Sequence, residues 1–268
     1  MENEKNVLKK SDNDLSEKEE TLKLESETKR VWNAYSDINY DNFHKMRVAQ
    51  EIMKDLKKAF VPSSGGKVLD GGCGSGMLFE MILKEIQPNK LIAGDFSERM
   101  LERAKGRIEK MKDKDKSKIE LVNLDLSKKF PFPDESFDAE IFSLSINYLP
   151  YKKWKQSLDE AQRTTKRGGY IYIASQTSDF DFSEGYKREV LKEIKEKLFS
   201  GQLSFVLWMI KTKKTFVSRI DRWSKEDVII FPNSQELLDY QKEIGFTDIE
   251  ILARPFFKTC VVTRARKA

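Results

Sequence analysis

Lys67-Val-Leu-Asp-Gly-Gly-Cys-Gly-Ser-Gly76, followed at once by Met77-Leu-Phe-Glu-Met-Ile-Leu83, decides how this chain folds. Lys67 to Leu69 read as the end of a short buried strand. Glycines follow at 71, 72, 74 and 76, and then Met77, Leu78, Met81 and Ile82 recur at helical spacing. The order is strand, tight glycine turn, helix, the first unit of a nucleotide-binding α/β sheet. Glycine suits the turn because the backbone bends sharply and admits a ligand where a Cβ would stand. The N–H groups at the helix start face that ligand. A dinucleotide fingerprint requires G-x-G-x-x-G, and counting from Gly72 the required glycine falls on Met77. A phosphate-cradling loop ends in Gly-Lys-Ser/Thr, which is absent.

What stands instead is Asp70-x-Gly72-x-Gly74-x-Gly76. Alone it is compatible with a generic glycine turn in any α/β protein. It also resembles the motif of class I S-adenosylmethionine (SAM) dependent methyltransferases. The next elements extend the resemblance. Lys90-Leu-Ile-Ala-Gly-Asp95 is a short strand ending in an acid, and Phe96-Ser-Glu-Arg-Met-Leu101 opens a helix with Ser97 as N-cap. The run from Gly94 to Lys105 is similar to the family's second motif almost residue for residue. Ile119 to Leu126 alternates as a strand ending at Asp125, Phe137–Ser145 reads as the fourth strand, and Tyr170–Ser175 as the fifth. The resemblance covers about residues 30–176 and, more loosely, 232–268.

The resemblance implies SAM as cofactor, with S-adenosyl-L-homocysteine as product. It places Asp70 at the amino-acid end of SAM, with Gly71, Gly72, Cys73, Gly74 and Gly76 as the loop around it. Asp95 falls at the ribose, where a carboxylate accepts from both hydroxyls. Phe96, Met100 and Ser143 join the donor site, with Asp125 near the adenine amino group and Leu126 against the ring. The fold expected is a Rossmann-like α/β sheet of seven strands, mostly parallel with an antiparallel last strand. Helices cover both faces, and a helical cap is inserted.

The chain has 268 residues, enough for one sizeable α/β domain with an elaboration. Its net charge of +5 comes from 49 basic and 44 acidic residues interleaved throughout, a solvated surface with no strong nucleic-acid signal. Two cysteines, at 73 and 260, give neither a disulfide framework nor a metal cluster, and no metal is expected. No apolar run approaches a membrane span and no secretory leader is visible, so a cytoplasmic protein is expected.

Residues 1–27 are nearly all polar or charged and read as a disordered or fraying tail, with the methyltransferase domain over 28–268. Large apolar residues then gather over 28–62, a region read as N-terminal lid helices. Trp32-Asn-Ala-Tyr-Ser-Asp-Ile-Asn-Tyr-Asp41 resembles the lid of small-molecule methyltransferases. Aromatic faces attract a sulfonium, so Tyr35 and Tyr40 are candidates for the SAM rim. Plain packing of the lid on the core explains them equally well. His44, the single histidine, is a candidate general base, against the alternative of a surface or capping histidine.

After the fourth strand comes Ser143-Leu-Ser-Ile-Asn-Tyr148, without the paired prolines that family members acting on nucleobase amines or glutamine amides carry. Asn147 is the second catalytic candidate, bonding SAM or the acceptor, or else capping the next helix. Residues 177–232 form an insertion containing Leu203-Ser-Phe-Val-Leu-Trp-Met-Ile210. Its place above the carboxyl ends of the strands suits a cap over an acceptor pocket. A satellite core is the plain alternative, and a weak interfacial membrane contact is the third. A helix from Ser234 and two closing strands end the chain. The first expectation is therefore a small-molecule methyltransferase. A methyltransferase of protein or RNA, or a SAM-binding module without turnover, are the alternatives.

Overall fold

The computed structural model describes residues 29–30, 32–33, 42, 45–62, 65–149, 153–178, 182–212, 232–253 and 260–268. Helix α1 (Arg47–Ala59) leads into strand β1 (Lys67–Gly71), helix α2 (Phe79–Glu85), strand β2 (Lys90–Asp95) and helix α3 (Glu98–Ile108). A short helix, α4 (Asp113–Lys116), precedes β3 (Ile119–Asn123) and β4 (Phe137–Ser143). A 3-10 turn (Ile146–Tyr148) and helix α5 (Lys153–Thr164) lead to β5 (Thr165–Gln176). Helices α6 (Phe182–Phe199) and α7 (Leu203–Thr212) are the described elements of the insertion, and α8 (Ser234–Glu243), β6 (Phe246–Ala253) and β7 (Cys260–Lys267) close the chain.

The strands form one sheet in the order β3-β2-β1-β4-β5-β7-β6. Six strands run one way, and β7 runs against both its neighbours. The order reverses beside β1, between β2 and β4, which is where open α/β sheets bind ligands. Both faces are covered, so buried positions alternate between two cores. Val68, Tyr172 and Ala174 join Ile52, Leu56, Phe79 and Ile82 on the face of α1 and α2. Leu69, Ile171 and Ile173 join Trp154, Leu158 and Leu237 on the face of α5 and α8.

Three strand boundaries differ from the sequence reading. β3 stops at Asn123, because Asp125 folds its carboxylate back onto Ser127 and turns the chain. β5 begins at Thr165, ahead of the glycines, because Thr165 pairs with Phe137 at the start of β4 across a register shift. β7 begins at Cys260 among the described residues and runs to Lys267, past Thr263, where the apolar run of the sequence ends.

The described part of the insertion is helical, and it packs on the start of α1. Arg47 N donates to Glu193 Oε1 (3.1 Å), and the Arg47 guanidinium pairs with Glu196 (2.6 Å). Phe205, Trp208 and Met209 enter the same core as Met46 and Ile52. The far end of α1 lies by mid-β5, where Val61 N donates to the Tyr172 hydroxyl (3.0 Å). α1 therefore runs antiparallel to β5, and its N-terminus, with the insertion on it, stands at the carboxyl edge of the sheet. Residues 213–231 and the tail 1–28 lie outside the described residues.

Candidate active site

The glycine loop is fixed from two sides. Gly72 N and Cys73 N both donate to Gly94 O (2.8 and 2.9 Å), strapping the loop to the end of β2. Arg107 Nε, from the last turn of α3, donates to Ser75 O (3.0 Å). Gly72 has φ +77°, and a Cβ there would lie 2.3 Å from Ser145 Cβ. No side chain fits, so the loop after β1 and the loop after β4 close on each other.

Asp95 anchors this arrangement. Its Oδ2 accepts from Gly74 N (2.9 Å) and its Oδ1 from Ser97 N (2.8 Å). One carboxylate thus joins the glycine loop to the start of α3. Ser97 Oγ accepts from Met100 N (3.3 Å) as the N-cap and donates to Asn33 Oδ1 (2.6 Å), which brings the N-terminal segment onto the site. Burial pushes the Asp95 carboxyl up to about 6, against the lowering effect of those two N–H groups.

Asp70 is buried at the end of β1, and its Oδ2 has no hydrogen-bond partner. Burial, with the Asp95 charge beside it, pushes its carboxyl up to about 7. Two acids at adjacent strand ends, one with an orphaned oxygen, make a place where a cation would be stabilised.

A cavity opens beside these groups. Gly72, Gly74, Asp95, Phe96, Met100, Asp125, Leu126 and Ser143 line it, all expected from the sequence. Asp70, Gly71, Cys73 and Gly76 do not line it and instead form the loop's buried backing. Asp125 Oδ1 accepts from Ser127 N (3.0 Å) and Ser127 Oγ (2.6 Å), while Oδ2 pairs with Lys128 (3.2 Å). Leu124, Ser127, Leu144, Ser145, Tyr148, Leu149 and Trp32 also line the cavity. Trp32 meets Tyr148 edge to face, ring centroids 5.1 Å apart. Leu144 has φ +53°, a left-handed conformation that costs a branched residue about 1–2 kcal/mol. The strained turn redirects the chain at the cavity wall.

Asn147 is not in this wall and caps no helix. It is buried in the 3-10 turn; its Nδ2 donates to Gln176 Oε1 (3.4 Å), and its Oδ1 has no partner. Thr177 Oγ1 and Ser145 Oγ are likewise buried without partners. Tyr35, Tyr40 and His44 lie outside the described residues. The described residues of α6 and α7 contribute nothing to the cavity lining.

The comparisons with known proteins agree with this geometry. Residues 68–169, which span β1 to the middle of β5, match the family described as a methyltransferase domain. The chain carries a class I SAM-dependent methyltransferase domain. Demethylmenaquinone methyltransferase of Geobacillus stearothermophilus is 25% identical over 236 residues, covering 85% of this chain and 92% of the relative. The ubiquinone/menaquinone biosynthesis C-methyltransferase of Geobacter sulfurreducens is 24% identical, covering 84% of each. Among solved structures, a SAM-dependent methyltransferase from Thermotoga maritima superposes with a TM-score of 0.55 at 17% identity, covering 89% of this chain and 99% of that one. Phosphoethanolamine N-methyltransferase 2 of Haemonchus contortus, solved with SAM, gives 0.51 at 20% identity, covering 75% and 38%. At such identities the solved structures speak for the fold.

SAM is thus the cofactor of this methyltransferase, and the site's chemistry suits it. The charge of Asp95 in the cavity wall, with the Asp70 carboxyl buried behind it, suits a ligand with a cationic amino-acid end. The apolar walls at Met100, Leu124 and Leu126 suit a flat ring. The sequence could not single out Trp32 over its neighbours, nor Leu124 and Tyr148, because their places depend on where loops converge.

Proposed function

We propose that this methyltransferase acts on a small, largely apolar acceptor of the quinone or phenol type. Full-length likeness to quinone methyltransferases carries the reading: the aligned region extends well past the donor domain. The largely apolar cavity mouth, with Trp32, Leu144, Tyr148 and Leu149, supports it. So does the charge distribution, which offers no extended basic surface for RNA. The enzyme works in the cytoplasm on this reading.

In our assignment Asp70 receives the ammonium of SAM, with the loop of Gly71, Gly72, Cys73, Gly74 and Gly76 around the amino-acid end. Asp95 accepts from the ribose, Phe96 and Met100 pack beside it, Leu126 covers the adenine, and Asp125 and Ser143 supply polar contacts. When bound, SAM supplies a methyl group already activated on a sulfonium and leaves as S-adenosyl-L-homocysteine. The chain's task is then positioning and exclusion of water. Trp32 and Tyr148 shield the cavity, joined by Tyr35 and Tyr40. Asn147, buried in the turn that carries Tyr148, positions the acceptor side of the cavity, and His44 serves as base for an acceptor hydroxyl.

The test is label transfer from methyl-tritiated SAM, using purified enzyme with demethylated quinones, phenols, total RNA and total protein. Label in solvent-extractable small products is expected. Label in RNA or protein, or no transfer to any acceptor despite donor binding, would overturn the reading.

A further inference from the structure

Seven large apolar side chains are exposed among the described residues, and all but Ile251 fall between 191 and 210. They are Leu191, Leu198 and Phe199 on α6 and Leu203, Leu207 and Ile210 on α7. Phe199 is 95% exposed. On α7 the exposed residues recur at i, i+4 and i+7, while Phe205, Val206, Trp208 and Met209 fill the opposite, buried face. A helix apolar all round is ordinarily buried on every side. This one is buried on one side only. Phe199 and Leu203 flank the turn between the helices, where Gly201 at φ +72° and the bond from Gln202 N to Lys197 O (2.9 Å) end α6. The two stripes therefore meet in one patch.

The charges around the patch are sorted by sign. Glu193 is buried and accepts from Arg47 N, and Glu196 is paired with the Arg47 guanidinium. Between 191 and 211 the two acids are thus offset, Glu193 inside the domain and the exposed Glu196 by its ion pair with Arg47. Lys192, Lys195 and Lys211 are exposed, and Lys197 lies over the Phe205 ring at 5.3 Å. The outward face is apolar and cationic. A second copy of the chain would bring the same lysines against each other. A bilayer with anionic headgroups complements both properties: the leucines and Phe199 enter the acyl boundary while lysines meet the headgroups. No helix of the described residues is long and apolar enough to cross a membrane, so the contact is interfacial.

We propose that the α6–α7 helix pair is a docking surface for anionic lipid membranes. It stands at the carboxyl edge of the sheet, the edge on which the donor cavity opens. Resting on the reading under Proposed function, this places the cavity where a lipophilic acceptor is concentrated.

The test is flotation of the full chain with vesicles of phosphatidylcholine alone or with one-third phosphatidylglycerol, without donor or acceptor. Wild type is expected to float with the anionic vesicles, less so as salt rises. Leu203→Glu/Leu207→Glu should cut bound fraction tenfold or more, and Lys192→Glu/Lys195→Glu should remove the preference for phosphatidylglycerol. Ile251→Glu, on β6, should float as wild type. Unchanged S-adenosylhomocysteine binding in each variant verifies the fold. Failure of wild type to float, equal flotation of the leucine variant, or a dimer that the leucine variant dissociates without any vesicle binding would overturn the proposal. Because flotation needs no turnover, its failure leaves the small-acceptor reading standing. Turnover on RNA with intact flotation would overturn that reading alone.

Discussion

The two ends of the ligand-binding edge are built on opposite terms. Around β1 and β2 nearly every polar group is buried and spoken for: Asp95 holds two loop N–H groups, and Ser97 caps α3 while reaching Asn33. Around α6 and α7, apolar side chains face outward. Where β4 and β5 end, the buried Asn147 Oδ1, Ser145 Oγ and Thr177 Oγ1 have no partners. Among the described residues around β1 and β2, only Asp70 Oδ2 is buried without a partner. The other half carries unmet valences of two kinds, apolar and polar. A site's most specific chemistry can thus reside in its least satisfied atoms.

The largest effect that tests this contrast is at Asp95. Asp95→Ala removes the acceptor of two loop N–H groups as well as the ribose partner proposed above. Charged hydrogen bonds are worth about 1.5–3 kcal/mol each, so S-adenosylhomocysteine affinity should fall at least about 100-fold by calorimetry. Melting temperature should fall too, because the loop loses its strap. Unchanged affinity in a folded variant would separate Asp95 from the donor.

Much of the donor half was legible in the sequence because it is local. Gly72, Gly74, Asp95, Phe96 and Met100 sit at a strand end, in a tight turn or in a first helical turn, and each element announces itself over a few residues. The same locality misled at Asp125, where the alternating pattern ran on but the side chain's bond to Ser127 ended the strand. What was not legible depends on distant pieces meeting. Trp32 reaches the cavity from the N-terminal segment, and Leu144 takes a left-handed turn that nothing about leucine foretells. The insertion was expected to cap an acceptor pocket; its described residues pack on α1, and 213–231 lie outside the described residues. Amphipathic spacing reveals which face is apolar, never what covers it.

Acid titration separates the donor acids from a buried acid with no site. On the assignment above, Asp70, pushed up to about 7, must be ionised to hold the cationic amino-acid end, with the charge of Asp95, up to about 6, beside it. Donor affinity should therefore fall as pH drops from about 8 towards 6, by up to about tenfold per unit below the Asp70 value. Binding near neutrality should release protons, measurable by calorimetry in buffers of different ionisation enthalpy. Asp70→Asn should flatten the profile. A pH-independent affinity in wild type would remove Asp70 from the donor site.

Glu140 supplies the contrast. It lies wholly buried in β4, its Oε1 accepting from Thr164 and Thr165 hydroxyls (2.7 and 3.1 Å) and its Oε2 unpartnered. Burial pushes its carboxyl up to about 8 from 4.5. The folded state therefore holds a proton that the unfolded state gives up above about 4.5. The folded state binds more protons, so stability falls as pH rises through that window, by about 1.4 kcal/mol per unit for this group. Glu140→Gln mimics the neutral acid and should remove that slope. The variant should match wild type near pH 5 in urea melts and exceed it near pH 8, with donor affinity unchanged. An undiminished slope would show that Asp70 and Asp95 account for it.

The smallest effect is at Leu144, where the two halves of the edge meet. Leu144 N donates to Ala174 O (2.7 Å), which ties the strained turn to β5 while the side chain lines the cavity. Leu144→Gly relieves about 1–2 kcal/mol of left-handed strain. Glycine's added freedom in the unfolded chain takes back about 0.5–1 kcal/mol, and the lost cavity-wall contacts offset part of the rest. Stability in urea should consequently change by less than about 1 kcal/mol in either direction. The donor should bind within a few-fold of wild type, since Asp70 and Asp95 are untouched. Turnover should suffer more than binding, because the wall between donor and acceptor is thinned and water enters. Equal losses in donor affinity and turnover would place Leu144 on the donor side of the boundary. A large gain in stability with full activity would mean that the strain serves nothing at the site.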